Sequence, residues 1–108
     1  MANTFKLKTK ANVGIATQNI YVVPSATTTV VIGITLANVS GAGAVVGVGI
    51  RRPSADDVKV LKNVAVPQGS TLEFMGGNKV VLETADTLTV NSDANNSIDA
   101  ALTIMEIT

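Results

Sequence analysis

Apolar and polar residues alternate in short runs along most of this chain, and residues that favour turns separate the runs. In TFKLKTKA, Phe5 and Leu7 alternate with Lys6, Lys8 and Lys10, which predicts a strand with one apolar and one cationic face. Lysines on a strand discourage unwanted pairing, so it reads as an edge strand. Residues 15–23, IATQNIYVV, read as extended, and Pro24 with Ser25 ends the run. TTTVVIGITLAN gives the clearest long strand. Regular alternation puts Thr28, Val30, Ile32, Ile34 and Leu36 on one face and Thr29, Val31, Gly33, Thr35 and Ala37 on the other.

After the turn VSGAG, the stretch AVVGVGIRRP (44–53) breaks the usual pattern, because nothing polar appears before Arg51. Val46, Val48 and Ile50 point one way, and Val45, Gly47 and Gly49 the other. Glycine inside a strand costs roughly 0.5 to 1 kcal/mol relative to alanine, so two alternate glycines on one face predict close approach of another backbone. That backbone belongs either to a second sheet of the same domain or to another subunit.

VKVLKNVAV reads as a strand from its β-branched content. The preceding SADD could instead cap a helix through Ser54. In the last part of the chain, PQG introduces STLEFM, the tripeptide Gly76, Gly77, Asn78 supplies hairpin chemistry, and KVVLE, TLTVNS and IDAALTIMEI follow, separated by TAD and DANNS. In the final strand Ile98, Ala100, Leu102 and Ile104 alternate against Asp99, Ala101, Thr103 and Met105. The sum is about eight or nine short strands with turns every 8 to 12 positions, the pattern of an antiparallel all-β sandwich, jelly-roll-like or immunoglobulin-like. Residues 1–108 are enough for one such domain.

Composition narrows the chemistry. The chain has no cysteine and no histidine. It therefore lacks disulfides, thiolate ligands, a cysteine nucleophile, and the commonest general base and transition-metal ligand. Ser54, Ser70, Ser92 and Ser97 have no histidine to activate them. Asp56 and Asp57 are neighbours that a strand turns to opposite faces, so they do not form an acid–base pair. Asp86, Asp93 and Asp99, with Asn91, Asn95 and Asn96, could offer oxygens to calcium, but no ligand spacing is present and turn chemistry explains them equally. The expectation is a protein that is not an enzyme, with no cofactor and no metal site.

Net charge is zero but unevenly placed. Residues 1–52 carry Lys6, Lys8, Lys10, Arg51 and Arg52 and no acid, whereas 53–108 carry all 8 acids against Lys59, Lys62 and Lys79. Strand pairing within the chain would produce this, and so would complementary patches on adjacent copies. Sequence-specific nucleic-acid binding is not expected of a neutral protein. Neither is a membrane span, since no window approaches the about 20 apolar residues required. MANTFKLKTK lacks the apolar run of a signal peptide. Tyr21 is the chain's one tyrosine and there is no tryptophan, which leaves little to stack on a sugar ring.

The segment PQGSTLEFMGGNKVVLETADTLTVNSDANNSIDAALTIMEIT resembles the C-terminal half of small virion proteins encoded by tailed phages, especially those of marine and cyanobacterial hosts. The resemblance lies in Pro67 and Gly69, Lys79 to Glu83, Asp86 to Val90, Ala94 to Ser97 and Ala100 to Ile107, with Ala85 where that group carries glycine. ITLANVSGAGAVVGVGI is similar to the same group's paired strands around an Asn-x-Ser-Gly turn. The resemblance implies a structural component of a phage particle made in the host cytoplasm. The resemblance does not choose a place in the particle; the expectation taken is a capsid decoration (cement) protein, with a neck, tail or fibre component as the alternative and a glycan-binding surface module, an adhesin, or a cellular assembly protein behind it. The implied partners are further copies of itself, as a trimer or larger ring, and other virion proteins such as the major capsid protein, with no small-molecule substrate. The residues expected at such an interface are Lys6, Lys8, Lys10, Val45, Gly47, Gly49, Arg51 and Arg52. One of the two arginines is expected to reach an acidic partner such as Glu73, Glu83 or a neighbouring chain.

Overall fold

Strands form where the alternation predicts them. A computed structural model of the chain describes residues 2–53, 56–74 and 80–108. Among the described residues it contains β1 (Asn3–Val13), β2 (Gln18–Val22), β3 (Thr28–Asn38), β4 (Ala44–Arg51), β5 (Asp57–Val66), β6 (Thr71–Phe74), β7 (Val80–Leu82), β8 (Thr87–Ser92) and β9 (Ile98–Ile107). The helix alternative after SADD is replaced by β5, although Ser54 and Ala55 lie outside the described residues. So do Gly76, Gly77, Asn78 and Lys79, and with them the expected hairpin.

The strands make two antiparallel sheets, one ordered β1-β9-β3-β6 with β7 also on β3, the other ordered β2-β8-β4-β5. The order has a simple origin. The chain is a long hairpin folded at β4 and β5, so that β3 meets β6 and β7, β2 meets β8, and β1 meets β9. Rolling that ribbon sends successive pairs to alternate sheets, which is the jelly roll. The immunoglobulin-like order is not followed.

Between the sheets lies one cluster of aliphatic side chains, with Val31, Ile34, Leu36, Val46, Val48, Leu88, Val90, Leu102 and Ile104 almost wholly buried. β9 alternates as expected, with Ile98, Ala100, Leu102 and Ile104 inward. β3 does not. Its register against β9 shifts between Val31 and Gly33, and the extra residue reverses the alternation. Thr29 and Val31 point inward before the bulge, and Ile34, Leu36 and Asn38 after it, so the two uniform faces expected for this strand are each split.

β4 keeps its expected facing, and within the chain its glycines meet neighbours in their own sheet. Val46 and Val48 enter the core, while Gly47 and Gly49 are buried on the other side of the sheet. A Cβ on Gly47 would lie 2.6 Å from Asn91 Oδ1, and one on Gly49 would lie 3.0 Å from Thr89 Oγ1 and 3.2 Å from the Val58 carbonyl. Both glycines face side chains of the adjacent β8 and carbonyls of β5, whose register shifts twice against β4 near Asn63 (φ 55°). Within the chain, the cover comes from their own sheet rather than from the second sheet.

The Asn-x-Ser-Gly turn is held by Asn38. Its amide donates to the carbonyls of Ala42 and Val66 at 2.8 and 2.9 Å, and its oxygen accepts from Ser40 N at 2.9 Å. The turn before β8 uses Ala85 at φ 72°, a left-handed conformation in which a Cβ is costly. Ala85→Gly is expected to raise stability by about 1 kcal/mol in urea unfolding. Gly49→Ala is expected to cost about 1–3 kcal/mol, because a ladder carbonyl blocks the new methyl. Gly47→Ala should cost less in the same measurement, since the Asn91 side chain can swing away.

Candidate interaction surface

The placement of β1 decides what the molecule shows to its surroundings. Its register against β9 sets Thr4 opposite Glu106, Lys6 opposite Ile104 and Lys8 opposite Leu102. Glu106, Ile104 and Leu102 all point inward, so the cationic side of β1 turns toward the sandwich. Lys6 Nζ lies 2.8 Å from Glu106 Oε1. Tyr21 of β2 donates its hydroxyl to Glu106 Oε2 at 2.6 Å and meets Thr29 Oγ1 at 2.7 Å. Lys8 Nζ sits 5.9 Å from the centre of the Tyr21 ring, a cation over an aromatic face. Long lysine stems cover the sandwich edge while their amines reach polar partners.

This cluster shifts two titrations. The hydrogen bond from Lys6, then that from Tyr21, holds the Glu106 carboxyl below its usual value against the opposing effect of burial. Burial, followed by the hydrogen bond to Glu106, pushes the Tyr21 hydroxyl up to about 12.

With the lysines turned inward, the alternate residues of β1 face solvent. Phe5 is 69% exposed and Leu7 64%, which inverts the arrangement of an ordinary amphipathic strand. Register extends the apolar row: Phe5 lies beside Met105, Met105 beside Val30, and Val30 beside Val81, itself 59% exposed. Ile107 and Leu7 flank the row. Toward the other end of the same face come Thr9, Ala101, Thr35 and Ala37, then Glu73 and Asp99. Among the described residues this face carries no lysine or arginine. β1 is also a sheet edge. Ala2 and Thr108 exchange both backbone hydrogen bonds, and the antiparallel alternation then directs the N–H and C=O groups of Asn3, Phe5, Leu7 and Thr9 away from β9.

The expected interface residues fall into three places. Lys6 and Lys8 belong to the Tyr21 cluster, and Lys10 is exposed farther along β1. Val45, Gly47, Gly49 and Arg51 line the outer face of the other sheet, where Arg51 donates to Asn19 Oδ1 at 3.4 Å. Arg52 closes on Glu83 and, through Nε at 3.1 Å, on Asp86. Its hydrogen bonds to Asp86 first and to Glu83 second raise the guanidinium's already high pKa. The expected arginine–acid contact is thus made within the chain, to Glu83. Sequence reasoning did not gather Val30, Val81 and Met105 into one exposed apolar row with Phe5. Its available signal was Glu106, an acid on the apolar side of β9, which calls for a cation across the sheet edge.

The aspartates satisfy backbone amides, Asp86 within its own turn and Asp93 and Asp99 on segments distant in sequence. Asp99 accepts from Asn12 N, Asp93 from Val45 N, and Asp86 from Glu83 N, each at 2.9 Å. Among the described residues no three acids cluster as ion ligands. Tyr21 is 5% exposed, so its ring is not a sugar-stacking platform.

Tyr21 is the only tyrosine and there is no tryptophan, so ultraviolet absorbance of tyrosinate reports this cluster alone. The native protein is expected to titrate at about 12 rather than 10.0. A folded value above the unfolded one means that stability is full below pH 10 and lost as pH rises toward 12. Glu106 acts in the opposite sense: its contribution is present above the ordinary carboxylate range and lost as pH falls through the depressed native value. Lys6→Met should therefore start acid unfolding, followed by circular dichroism, at a higher pH, and cost about 1 kcal/mol at neutrality, a modest figure because Lys6 is partly solvated.

No protein-family model matches the chain, and no curated protein matches it in sequence. Solved structures do share its fold. It superposes along 100% of its length on 89% of a chain in the acidic stable capsid structure of Helicobacter pylori bacteriophage KHP30, with a TM-score of 0.60 and 10% identity. It superposes equally well, at TM-score 0.60 and 15% identity, on a chain from the disulfide-linked pili that form Bacillus endospore appendages, covering 99% of this chain and 87% of that one. A chain of the T13 viral particle of infectious bursal disease virus matches at TM-score 0.60 and 12% identity over 96% of this chain, but only 30% of its own length. At such identities the likeness is one of fold: an all-β jelly roll of two antiparallel sheets.

Proposed function

We propose that this chain is a structural subunit of a virus particle, and that it decorates the capsid of a tailed phage in many copies. The observation that carries the reading is the end-to-end correspondence with a phage capsid chain, covering 100% of this chain and 89% of that one. The exposed apolar row on the β1-β9-β3 sheet supports it, because contiguous apolar surface favours a partner. Its partners in this reading are further copies of itself and the major capsid protein. Lys10 and Arg51 are exposed and serve as cations toward an acidic lattice, next to Val45 and the glycine-floored strand. Residues 1–108 act as one sandwich domain without catalysis, and repetition on a lattice turns modest contacts into durable attachment.

The pilus likeness favours a second reading, a subunit of an extracellular filament. Mass spectrometry and electron microscopy of purified particles separate the two. The expected result is this chain at regularly repeated positions on heads. Neck, tail or fibre density would move its place in the particle, filaments formed by the chain alone would favour the appendage reading, and absence from particles would remove the virion role.

A further inference from the structure

We infer that the outer face of the β1-β9-β3 sheet binds the same face of a second copy, back to back, about a two-fold axis that runs along the strands between β9 and β3. The inference rests on the structural-subunit reading for its use in assembly, and its physical basis is independent of it.

Three observations select this occupant. The first is size. Four strands about 4.8 Å apart and about ten residues long at roughly 3.3 Å each give a face of about 600 Å². A stable interface takes about 800 Å² from each partner, so the face is large enough to form most of one. The second is charge. The face carries no described cation, and its acids, Glu73 and Asp99, sit at the end away from Phe5 and Val81. Its described residues offer nothing to a phosphate backbone or an acidic chain, while a second copy meets them without like-charge repulsion at the apolar row. The third is the chemistry of the opposite side of the molecule. The outer face of the other sheet presents Asn19, Arg51, Asp57, Lys59, Thr87 and Asn91. An apolar row laid on that face would strip water from charges and amides without replacing their hydrogen bonds. The surface that matches is its own duplicate.

The axis follows from the order of the row, Phe5, Met105, Val30, Val81. Rotation about a line between β9 and β3 sets Phe5 over the partner copy's Val81 and Met105 over its Val30, a large side chain against a smaller one at each crossing. The same rotation sets Asp99 over Ala37 and Glu73 over Thr9, so no acid faces an acid. Each contact recurs twice, as in any isologous pair.

The test is sedimentation equilibrium of the purified full chain, with Phe5→Lys, Val81→Lys and, on the other sheet, Val22→Lys, which is also 50% exposed. The wild-type chain and Val22→Lys are expected to be dimers, and the first two variants to dissociate about 100-fold more readily, the effect of burying an unpaired charge at a contact. Circular dichroism of each variant checks that it is folded. The chain has no cysteine, so a mixture of Phe5→Cys and Val81→Cys chains should form disulfide-linked pairs of one variant with the other. Within one copy those positions lie three strands, about 14 Å, apart and cannot bridge. A monomeric wild type, or Phe5→Lys and Val81→Lys chains that dimerise like the wild type, overturns the inference. A dimer that is absent from purified particles leaves the inference intact and sinks the virion role. Particles that contain the chain while the isolated chain stays monomeric do the reverse.

Discussion

A buried carboxylate organises this molecule. Glu106 is 5% exposed on the inner side of β9, where an unpaired charge would be expelled or neutralised. Three groups meet it: Lys6 from β1, the Tyr21 hydroxyl from β2 and, through that hydroxyl, Thr29 from β3. Strands of both sheets thus converge on one charge. Since side chains alternate along a strand, fixing Lys6 inward also fixes Phe5 and Leu7 outward, and a slip by one residue would reverse every position of β1. The exposed apolar row is therefore the other side of an electrostatic requirement, and β1 is held with only Val13 of its eleven residues fully buried.

The jelly roll gives that requirement its geometry. Rolling the hairpin brings the N-terminal strand beside the C-terminal one, so the cation-rich and acid-rich halves of the chain meet at β1 and β9. Arg52 bridges the halves again through Glu83 and Asp86. Uneven charge along the sequence becomes pairing within the molecule, which leaves the two outer faces unlike one another. One is mostly polar, floored by Gly47 and Gly49 beneath Asn91 and Thr89, with Val22 and Val45 among its polar residues. The other is apolar at one end and acidic at the other.

Much of this architecture is legible in the residues themselves. Two-residue alternation gives β9 its inward set without ambiguity, since Ile98, Ala100, Leu102 and Ile104 alternate with residues that tolerate water. Turn chemistry places β8 between TAD and DANNS, because Asp86 accepts from the Glu83 amide and the Ser92 hydroxyl from the Ala94 amide, each within three residues. Asn38 likewise closes its own turn. Local patterns of this kind need no knowledge of the rest of the fold.

What the chain could not reveal by itself depends on partners distant in sequence. β3 looks uniform on two faces, yet one bulged residue opposite β9 reverses its second half, and the bulge exists only because the two strands pair. Gly47 and Gly49 announce a close approach but not its source, which proves to be side chains of β8, some forty residues away, together with carbonyls of β5. Lysine and phenylalanine alternate visibly in β1, but alternation is symmetric: it defines two faces without saying which one turns inward. That choice belongs to Glu106, a hundred positions away from Lys6, because a buried charge must be answered in three dimensions by whichever strand the fold brings alongside.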